Sequence, residues 1–318
     1  MAIAALSNSP DLAHEMRCSI GRHTDKSFDW DAFPGSQGFP ELARAQMRYI
    51  GAGGSPKTDD PHTLKPGAFT LSLVHQPVKY AACHSHEVVE HFLVLDGVLT
   101  VGWMFGDTGG EEVIEARLGP LDMVLNQQGR PHGFRNDGVG PVLMSISVGS
   151  GRPKPPVYRC HPKDNDPALA YRFGAAPGRT TLFDPASDDP RQQEFARYIV
   201  RHAERRPIRQ AGLARLDYVG EAGAPPGGYC MEMIHLPACI GVRGYERAVE
   251  DAYFVLEGAL TVGWEEAGET VEQRLGRMDV ILNPPGRTRY FHNDGVADAV
   301  FMLLCANAPG QEVRFEPA

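Results

Sequence analysis

The chain repeats itself, and that constrains its fold more than any other feature. The run LVLDGVLTVGW at residues 93–103 returns as FVLEGALTVGW at 254–264, and LDMVLNQQGRPHGFRNDG at 121–138 returns as MDVILNPPGRTRYFHNDG at 278–295. The offsets are 161 and 157 residues, the second copy having the shorter intervening loop. Upstream, VHQP ending at Pro77 parallels IHLP ending at Pro237. A tandem duplication with copies at roughly 66–150 and 227–308 follows, and each copy must close a core of its own.

Within the first copy, short apolar or alternating runs at 68–75, 78–84, 88–95, 98–104, 111–117, 122–126, 132–135 and 141–148 are punctuated by Gly, Asp, Asn and Pro. Many are rich in Val, Leu, Ile, Thr and aromatics, as strands are. Asp96-Gly97 and Asn136-Asp137-Gly138 mark tight turns. Eight strands in so short a span predict an all-β unit, a small antiparallel barrel or double-sheet sandwich, with no room for helical crossovers. Glycine at 35 and proline at 26 of 318 residues fit many turns between short elements.

The remainder reads as arm and linker. The domains expected are an N-terminal arm at 1–65, a metal-binding barrel at 66–150, a linker at 151–226 and a second barrel at 227–318. The arm offers only a short helix candidate at 40–47, opened by Pro40. The linker leaves the first barrel through the Pro-rich GRPKPPVY and contains one helix, capped by Asp189 with Pro190 in its first turn. Phe195, Tyr198, Ile199 and His202 form its packing face to about residue 204. Such segments are expected to wrap or bridge the barrels and cover their edges and mouths.

Charge and cysteine usage exclude several classes. A formal charge of −9 argues against a general nucleic-acid binder. No stretch of about 18 apolar residues occurs, and the short apolar run at the N-terminus has no Lys or Arg before it, so no membrane span or secretory signal is expected. Cys18, Cys83, Cys160, Cys230, Cys239 and Cys305 lie far apart without a CxxC, which suits a reduced, cytoplasmic compartment.

Chemistry concentrates in CHSHEVVEHFLVLDG at 83–97. Strand period puts His84 and His86 on one face, and Glu90 shares the inward parity of Phe92 and Val94. His132 follows a Gly- and Pro-containing turn. Three imidazoles and a carboxylate make a first shell for Fe(II), Mn(II), Ni(II) or Co(II), with two open positions in an octahedral arrangement. A carboxylate flanked by apolar residues carries a desolvation cost that a cation removes. Against this stands the ordinary reading of a buried histidine as a hydrogen-bonded core residue.

The run His84-x-His86-x3-Glu90-x6-Gly97 resembles the first signature of the cupin superfamily, and Asp122-x6-Gly129-x2-His132-x3-Asn136 resembles the second. Val78 and Gln127 depart from the usual Gly and Pro of those signatures, at turns rather than at ligands. The resemblance covers both copies and implies a bicupin, that is, tandem double-stranded β-helix (jelly-roll) barrels, holding one divalent metal through His84, His86, Glu90 and His132. It also implies a broad menu, from dioxygenases and decarboxylases to isomerases, hydrolases and metal-free binding proteins.

The second copy bears on the same question. Counting back from Gly258 sets Tyr245, Arg247 and Asp251 against His84, His86 and Glu90; counting forward from Pro237 sets Gly244, Glu246 and Glu250 there. Arg289 stands opposite His132. Under either register no ligand histidine survives, so the second barrel is expected to lack metal.

Around the site, Arg130, Arg135 and Gln127 are candidates to meet substrate, the arginines by neutralising a carboxylate or enolate, with rim salt bridges as the competing reading. Phe69, Leu71, Leu73, Phe92, Trp103, Leu125, Phe134, Met144 and Ile146 are expected to line pocket or core. His91 should face the opposite side from Glu90, Cys83 reads as a buried structural thiol, His75 and His235 as structural, and Glu111-Glu112 as a solvated hairpin start.

The arm, the duplication and the single intact site are most similar to bicupin oxygenases. The expectation is a non-haem Fe(II)-dependent dioxygenase that cleaves a C–C bond in a hydroxylated aromatic acid, enediol or β-dicarbonyl, with O2 as co-substrate and Glu90 as fourth ligand or base. The alternatives are a redox-neutral Mn(II), Zn(II) or Ni(II) decarboxylase, isomerase or hydrolase, and a non-enzymatic binder of a small acid. No nicotinamide, flavin or haem is implied, because neither copy has the motif for it. A homodimer or larger oligomer is expected of barrels that present sheet faces.

Overall fold

The computed structural model describes residues 11–53, 60–106, 112–164, 179–307 and 314–318. The all-β expectation holds: two cupin barrels, each made of two facing sheets, occupy the two copies. In the first barrel one sheet orders Ile199–Val200, Met123–Asn126, Glu90–Asp96, Val142–Val148, Leu71–Gln76 and Ala45–Ile50. The other orders Val157–Tyr158, Tyr80–Ser85, His132–Arg135, Leu99–Phe105, Glu112–Leu118 and Arg179–Leu182. The second barrel repeats the plan, with Val280–Asn283, Asp251–Glu257, Ala299–Ala306, Tyr229–Leu236 and Leu213–Val219 facing Gly241–Tyr245, Thr288–His292, Leu260–Glu266 and Glu269–Leu275.

The strand Glu90–Asp96 shows why its sequence reads as a nearly continuous apolar run. Phe92 and Val94 point into the first barrel, whereas Leu93 points out of it and joins a second core between the barrels. A sheet covered on both faces needs apolar residues at both parities. By contrast, Glu269–Leu275 lies on the outside of the second barrel and keeps charged residues exposed. The same parity divides the residues expected to line pocket or core. Phe69, Leu71, Leu73 and Leu125 belong to the inter-barrel core with Met231, Met233, Phe254 and Met302, whereas Phe92, Trp103, Phe134, Met144 and Ile146 fill the first barrel. The repeated glycine after each of these strands is steric: Gly258 has φ +71, and a Cβ there would lie 2.5 Å from the Asp298 carbonyl oxygen.

The arms are exchanged between the barrels. Ile20–Gly21, ahead of the first copy, pairs with Val280 and Ile281 of the second barrel, and Ile199–Val200, ahead of the second copy, pairs with Met123 and Val124 of the first. Each crossing is locked in the same way. Arg22 donates to Asp279 Oδ2 at 2.8 Å and the His23 amide to its Oδ1 at 2.9 Å. Arg201 donates to Asp122 Oδ2 at 2.7 Å and the His202 amide to its Oδ1 at 3.0 Å. His23 Nδ1 lies 2.7 Å from the Tyr49 hydroxyl, and His202 Nδ1 lies 2.8 Å from that of Tyr218. The duplication therefore reaches back beyond the barrels to the strands that cross over.

Local expectations differ in two places. The helix candidate at 40–47 is a single 3-10 turn, Pro40–Leu42, followed by strand Ala45–Ile50, because the apolar face of the strand completes the inter-barrel sheet. The linker helix is capped by Asp189, whose Oδ1 accepts from the Arg191 amide at 2.9 Å, but it runs only over Pro190–Ala196; the residues after it form the crossing strand. An earlier helix, Leu12–Cys18, lies in the arm, where the sequence offers only the candidate at 40–47. Glu111 lies outside the described residues; its neighbour Glu112 is ion-paired with Arg191.

Candidate metal centre

His84, His86, Glu90 and His132 come together inside the first barrel, each with one ligand atom, all within 4.8 Å of one another. None is more than 6% exposed. The backbone explains the convergence. His84 and His132 are direct cross-strand partners, with a bulge between Ala81 and His84 that sets His84 inward. Glu90 opens the neighbouring sheet, opposite Asn126. His86 closes the corner between them, its carbonyl accepting from the Gly129 amide at 2.8 Å.

Hydrogen bonding fixes what these groups present to one another. His84 Nδ1 lies 2.8 Å from the Ala82 carbonyl and His132 Nδ1 lies 2.7 Å from the Arg130 carbonyl. A carbonyl only accepts, so each Nδ1 carries the proton and a neutral ring turns a bare Nε2 lone pair inward. Glu90 Oε2, another acceptor, sits 3.0 Å from His132 Nε2, 3.5 Å from His86 Nε2 and 3.7 Å from His84 Nε2. Burial lowers the pKa of His84 and His86, which opposes a second proton on either ring. Burial alone would raise Glu90; only positive charge or an N–H on the facing nitrogens of His86, His132 and His84 outweighs it and holds the carboxylate well below its usual range, so the ionised carboxylate needs protons or a cation opposite it. Acceptors facing acceptors in a dry interior repel, and a divalent cation among them reverses the sign. The residues present thus fit a metal ion with two or more N donors and one O donor.

Beside the cluster lies a cavity of about 120 Å3. Phe33, Phe92, Phe134, Ile146, Pro155 and Pro156 form its apolar walls, and Arg44 and Tyr158 add its polar groups beyond the cluster. Sequence reasoning missed both, since neither belongs to a cupin-like signature and both come from the arm and the linker. Arg44 is buried, with its guanidinium 4.1 Å from the Phe33 ring centre. The Tyr158 ring centre is 6.0 Å from that of His84, whose backbone it pairs with.

The structure does not bring Arg130, Arg135 or Gln127 into this cavity. Arg130 donates to Glu194 of the linker helix at 2.6 Å and stacks over Phe105 and Trp103. Its counterpart Arg287 does the same in the other barrel, meeting Glu15 of the arm helix at 3.0 Å and stacking over Trp264. A contact repeated where the ligand histidines are missing is a clamp between helix and barrel. Arg135 has outward parity and is ion-paired with Glu115 and with Asp137. Gln127 opens a turn, its carbonyl accepting from the Arg130 amide at 3.1 Å. His91 faces away from Glu90, toward the Tyr229 hydroxyl at 2.8 Å, and burial pushes the Cys83 thiol up.

In the second barrel the register is settled by pairing. Tyr245 opposes Arg289 as His84 opposes His132, and Asp251 opposes Asn283 as Glu90 opposes Asn126. The extra residue that made two registers possible lies in the turn after Pro237, where Cys239 has φ +62. Asp251 lies 3.2 Å from both Arg247 Nε and Arg289 Nε and accepts from Asn283 at 2.8 Å. Tyr245 and Tyr253 share a hydrogen bond, and Phe315 of the C-terminal tail packs 5.2 Å from the Tyr245 ring. Glu250, the ligand position of the rejected register, instead accepts from the Gly67 and Ala68 amides of the first barrel.

No protein-family model matches the chain, and no curated protein matches it by sequence. Solved structures match it across both barrels. An oxalate decarboxylase from Lactobacillus farciminis in complex with formate is 11% identical, with a TM-score of 0.62 over 94% of this chain and 87% of that one. A Bacillus subtilis oxalate decarboxylase, described with Mn(II) centres, is 12% identical, with a TM-score of 0.62 over 98% and 87%. Vicilin from hazelnut, Corylus avellana, is 11% identical, with a TM-score of 0.59 over 92% and 86%. At such identities the likeness shows the bicupin fold and nothing finer. It nevertheless corrects the expectation of an iron dioxygenase. The enzymes just named as sharing the fold are decarboxylases, one with manganese, so iron and oxidoreductase chemistry have no support from it. Among the described residues no helix is long and apolar enough to cross a membrane.

Proposed function

We propose that the first barrel is the active site of a redox-neutral, metal-dependent decarboxylase of a small carboxylic acid, with Mn(II) as the resident ion. The observation that carries the reading is the convergence of the His84, His86 and His132 Nε2 atoms on the Glu90 carboxylate, with the rings of His84 and His132 held so that their lone pairs face inward. The decarboxylase direction is supported by the two-barrel fold shared with oxalate decarboxylases.

A divalent ion held by His84, His86, Glu90 and His132 would supply Lewis-acid polarisation of a chelated acid. The chain's own residues do the rest. The Ala82 and Arg130 carbonyls lock the rings of His84 and His132 in one tautomer and orientation. Phe92, Phe134 and Ile146 exclude water from the reacting carboxylate. In the net reaction the bond to the carboxyl carbon breaks, CO2 leaves, and the electron pair left on the substrate carbon takes up one proton. No external oxidant enters the balance.

The test is metal analysis of protein supplied with Mn(II), followed by CO2 release from a panel of small carboxylic acids under anaerobic conditions. One equivalent of metal per chain and oxygen-independent CO2 release are expected. Protein that binds no divalent ion, or turnover that stops without O2, would overturn the reading.

A further inference from the structure

Arg44 stands apart from the other buried arginines. Among the described residues no carboxylate lies within ion-pairing distance of it. Its Nη1 makes only long contacts, 3.2 Å to the Leu42 carbonyl and 3.4 Å to the Ser36 hydroxyl. Arg289, fully buried, has Asp251 and backbone carbonyls, and Arg215, as buried as Arg44, has Glu232. A guanidinium that is 7% exposed, with no ion pair of its own and only Tyr158 and the more distant Glu90 as favourable neighbours, carries a desolvation cost that an incoming anion would relieve.

Its position is a property of the first copy alone. From the crossing histidine to the residue just before the partner of His75 or His235 in the inter-barrel strand, the second copy takes eleven steps, His202 to Leu213. The first takes twenty-one, His23 to Arg44. The longer segment brings Phe33, Pro34 and Gly35 over the mouth of the first barrel and ends with Arg44 in the cavity wall. The guanidinium carbon lies over the Phe33 and Phe134 rings, 4.1 and 5.9 Å from their centres. Tyr158 is its polar neighbour, and both line the cavity that also exposes His84, His86 and Glu90.

We infer that Arg44 is the carboxylate-binding residue of the first barrel and that its ligand is a small monocarboxylic acid with an apolar body, such as a short 2-oxo or 2-hydroxy acid. This rests on the metal site proposed above. The rigid fork of donors suits one carboxylate. Apart from the Tyr158 phenol, the remaining side chains of the wall are phenyl, sec-butyl and prolyl, so a second carboxylate away from the ion and Arg44 would find no cationic partner. The volume of about 120 Å3 lies well below the roughly 300–1,000 Å3 of sites for larger ligands, which keeps the acid to a few carbons.

The test is calorimetric binding to Mn(II)-loaded protein of 2-oxobutanoate, its neutral amide 2-oxobutanamide, and oxalate. Wild type should prefer the oxo acid over its amide, and R44Q should weaken the acid about 10- to 100-fold while leaving the amide and the metal content unchanged. R44K, which keeps the charge and loses the fork, should fall between them. Equal acid affinity in wild type and R44Q, or in wild type and R44K, would overturn the assignment of Arg44. Oxalate bound at least ten times more tightly than 2-oxobutanoate would overturn the apolar-acid class. Wild type that takes up no metal would instead remove the underlying site reading, a separate failure.

Discussion

The two barrels place different chemistry on the same backbone. At four matched positions the first carries His84, His86, Glu90 and His132, and the second Tyr245, Arg247, Asp251 and Arg289. Neutral imidazoles around a carboxylate leave a net negative charge and a surplus of acceptors. Two guanidinium groups around a carboxylate carry their own cations and donors, and the tyrosine pair and Phe315 fill the space that remains. The second barrel is thus complete by itself, whereas the first is complete only with an ion. A conserved scaffold contact, such as Arg130 on Glu194 and Arg287 on Glu15, recurs in both; a contact serving the ion occurs in one.

The sharpest way to break this contrast is to remove one matched residue from each barrel. H132A should reduce bound Mn(II) from one equivalent per chain to a small fraction, and any metal-dependent turnover by about 100-fold or more. R289A should leave the equivalent in place and register only as lost stability. Metal analysis of the two purified variants decides. Retention of a full equivalent in H132A, with its loss in R289A, would place the ion in the wrong barrel.

A second contrast concerns the central carboxylates. In chelated protein D251N should cost about 3–5 kcal/mol, because it leaves two buried guanidinium groups uncompensated. E90Q under the same conditions should cost no more than about 1 kcal/mol, since an amide offers the imidazole lone pairs a donor where the carboxylate offered another acceptor. Urea unfolding with excess chelator measures both. Equal costs would mean that the first barrel, too, is held by internal charge pairing.

Much of this was legible in the sequence, and the exceptions share a cause. The duplicated runs and the parity of His84, His86, Glu90 and Phe92 are local and periodic, so strand geometry alone places them. Arg44, Tyr158 and Phe33 were not legible, because they reach the cavity through an irregular arm and a linker whose paths no periodicity encodes. Of the two readings open for Arg130 and Arg135, the structure shows the salt bridges, because nearness in sequence to His132 is not nearness in space: strand parity turns Arg135 outward to Glu115 and Asp137, and Glu194 draws Arg130 to the linker helix. One readable signal was overlooked. Ile20-x-Arg22-His23 and Ile199-x-Arg201-His202 are a further repeat, with Glu15 and Glu194 each eight residues ahead of the histidine, and they mark the exchanged arms. The two barrel registers could not be separated from sequence, because a one-residue insertion in a turn leaves no trace in strand pattern.

The smallest expected effect sharpens the comparison at the inter-barrel face. His91 and Ala252 occupy the same strand position, opposite Leu125 and Leu282 respectively, so at this position only the first barrel has a titratable group. Burial pushes the His91 imidazole down to about 3. An unfolded histidine titrates near 6.5, so between about pH 6.5 and 3 the unfolded chain holds a proton at this residue that the folded chain refuses. Stability from this group is therefore intact above about pH 6.5 and is lost as the pH falls through that window. The limiting slope is one proton, about 1.4 kcal/mol per pH unit. H91Q, which keeps a polar partner for the Tyr229 hydroxyl, should unfold with a shallower acid dependence than wild type, by up to that slope, while the two remain close at pH 8. Parallel stability curves for the two proteins between pH 6.5 and 4 would show that the inter-barrel face opens to water before His91 titrates.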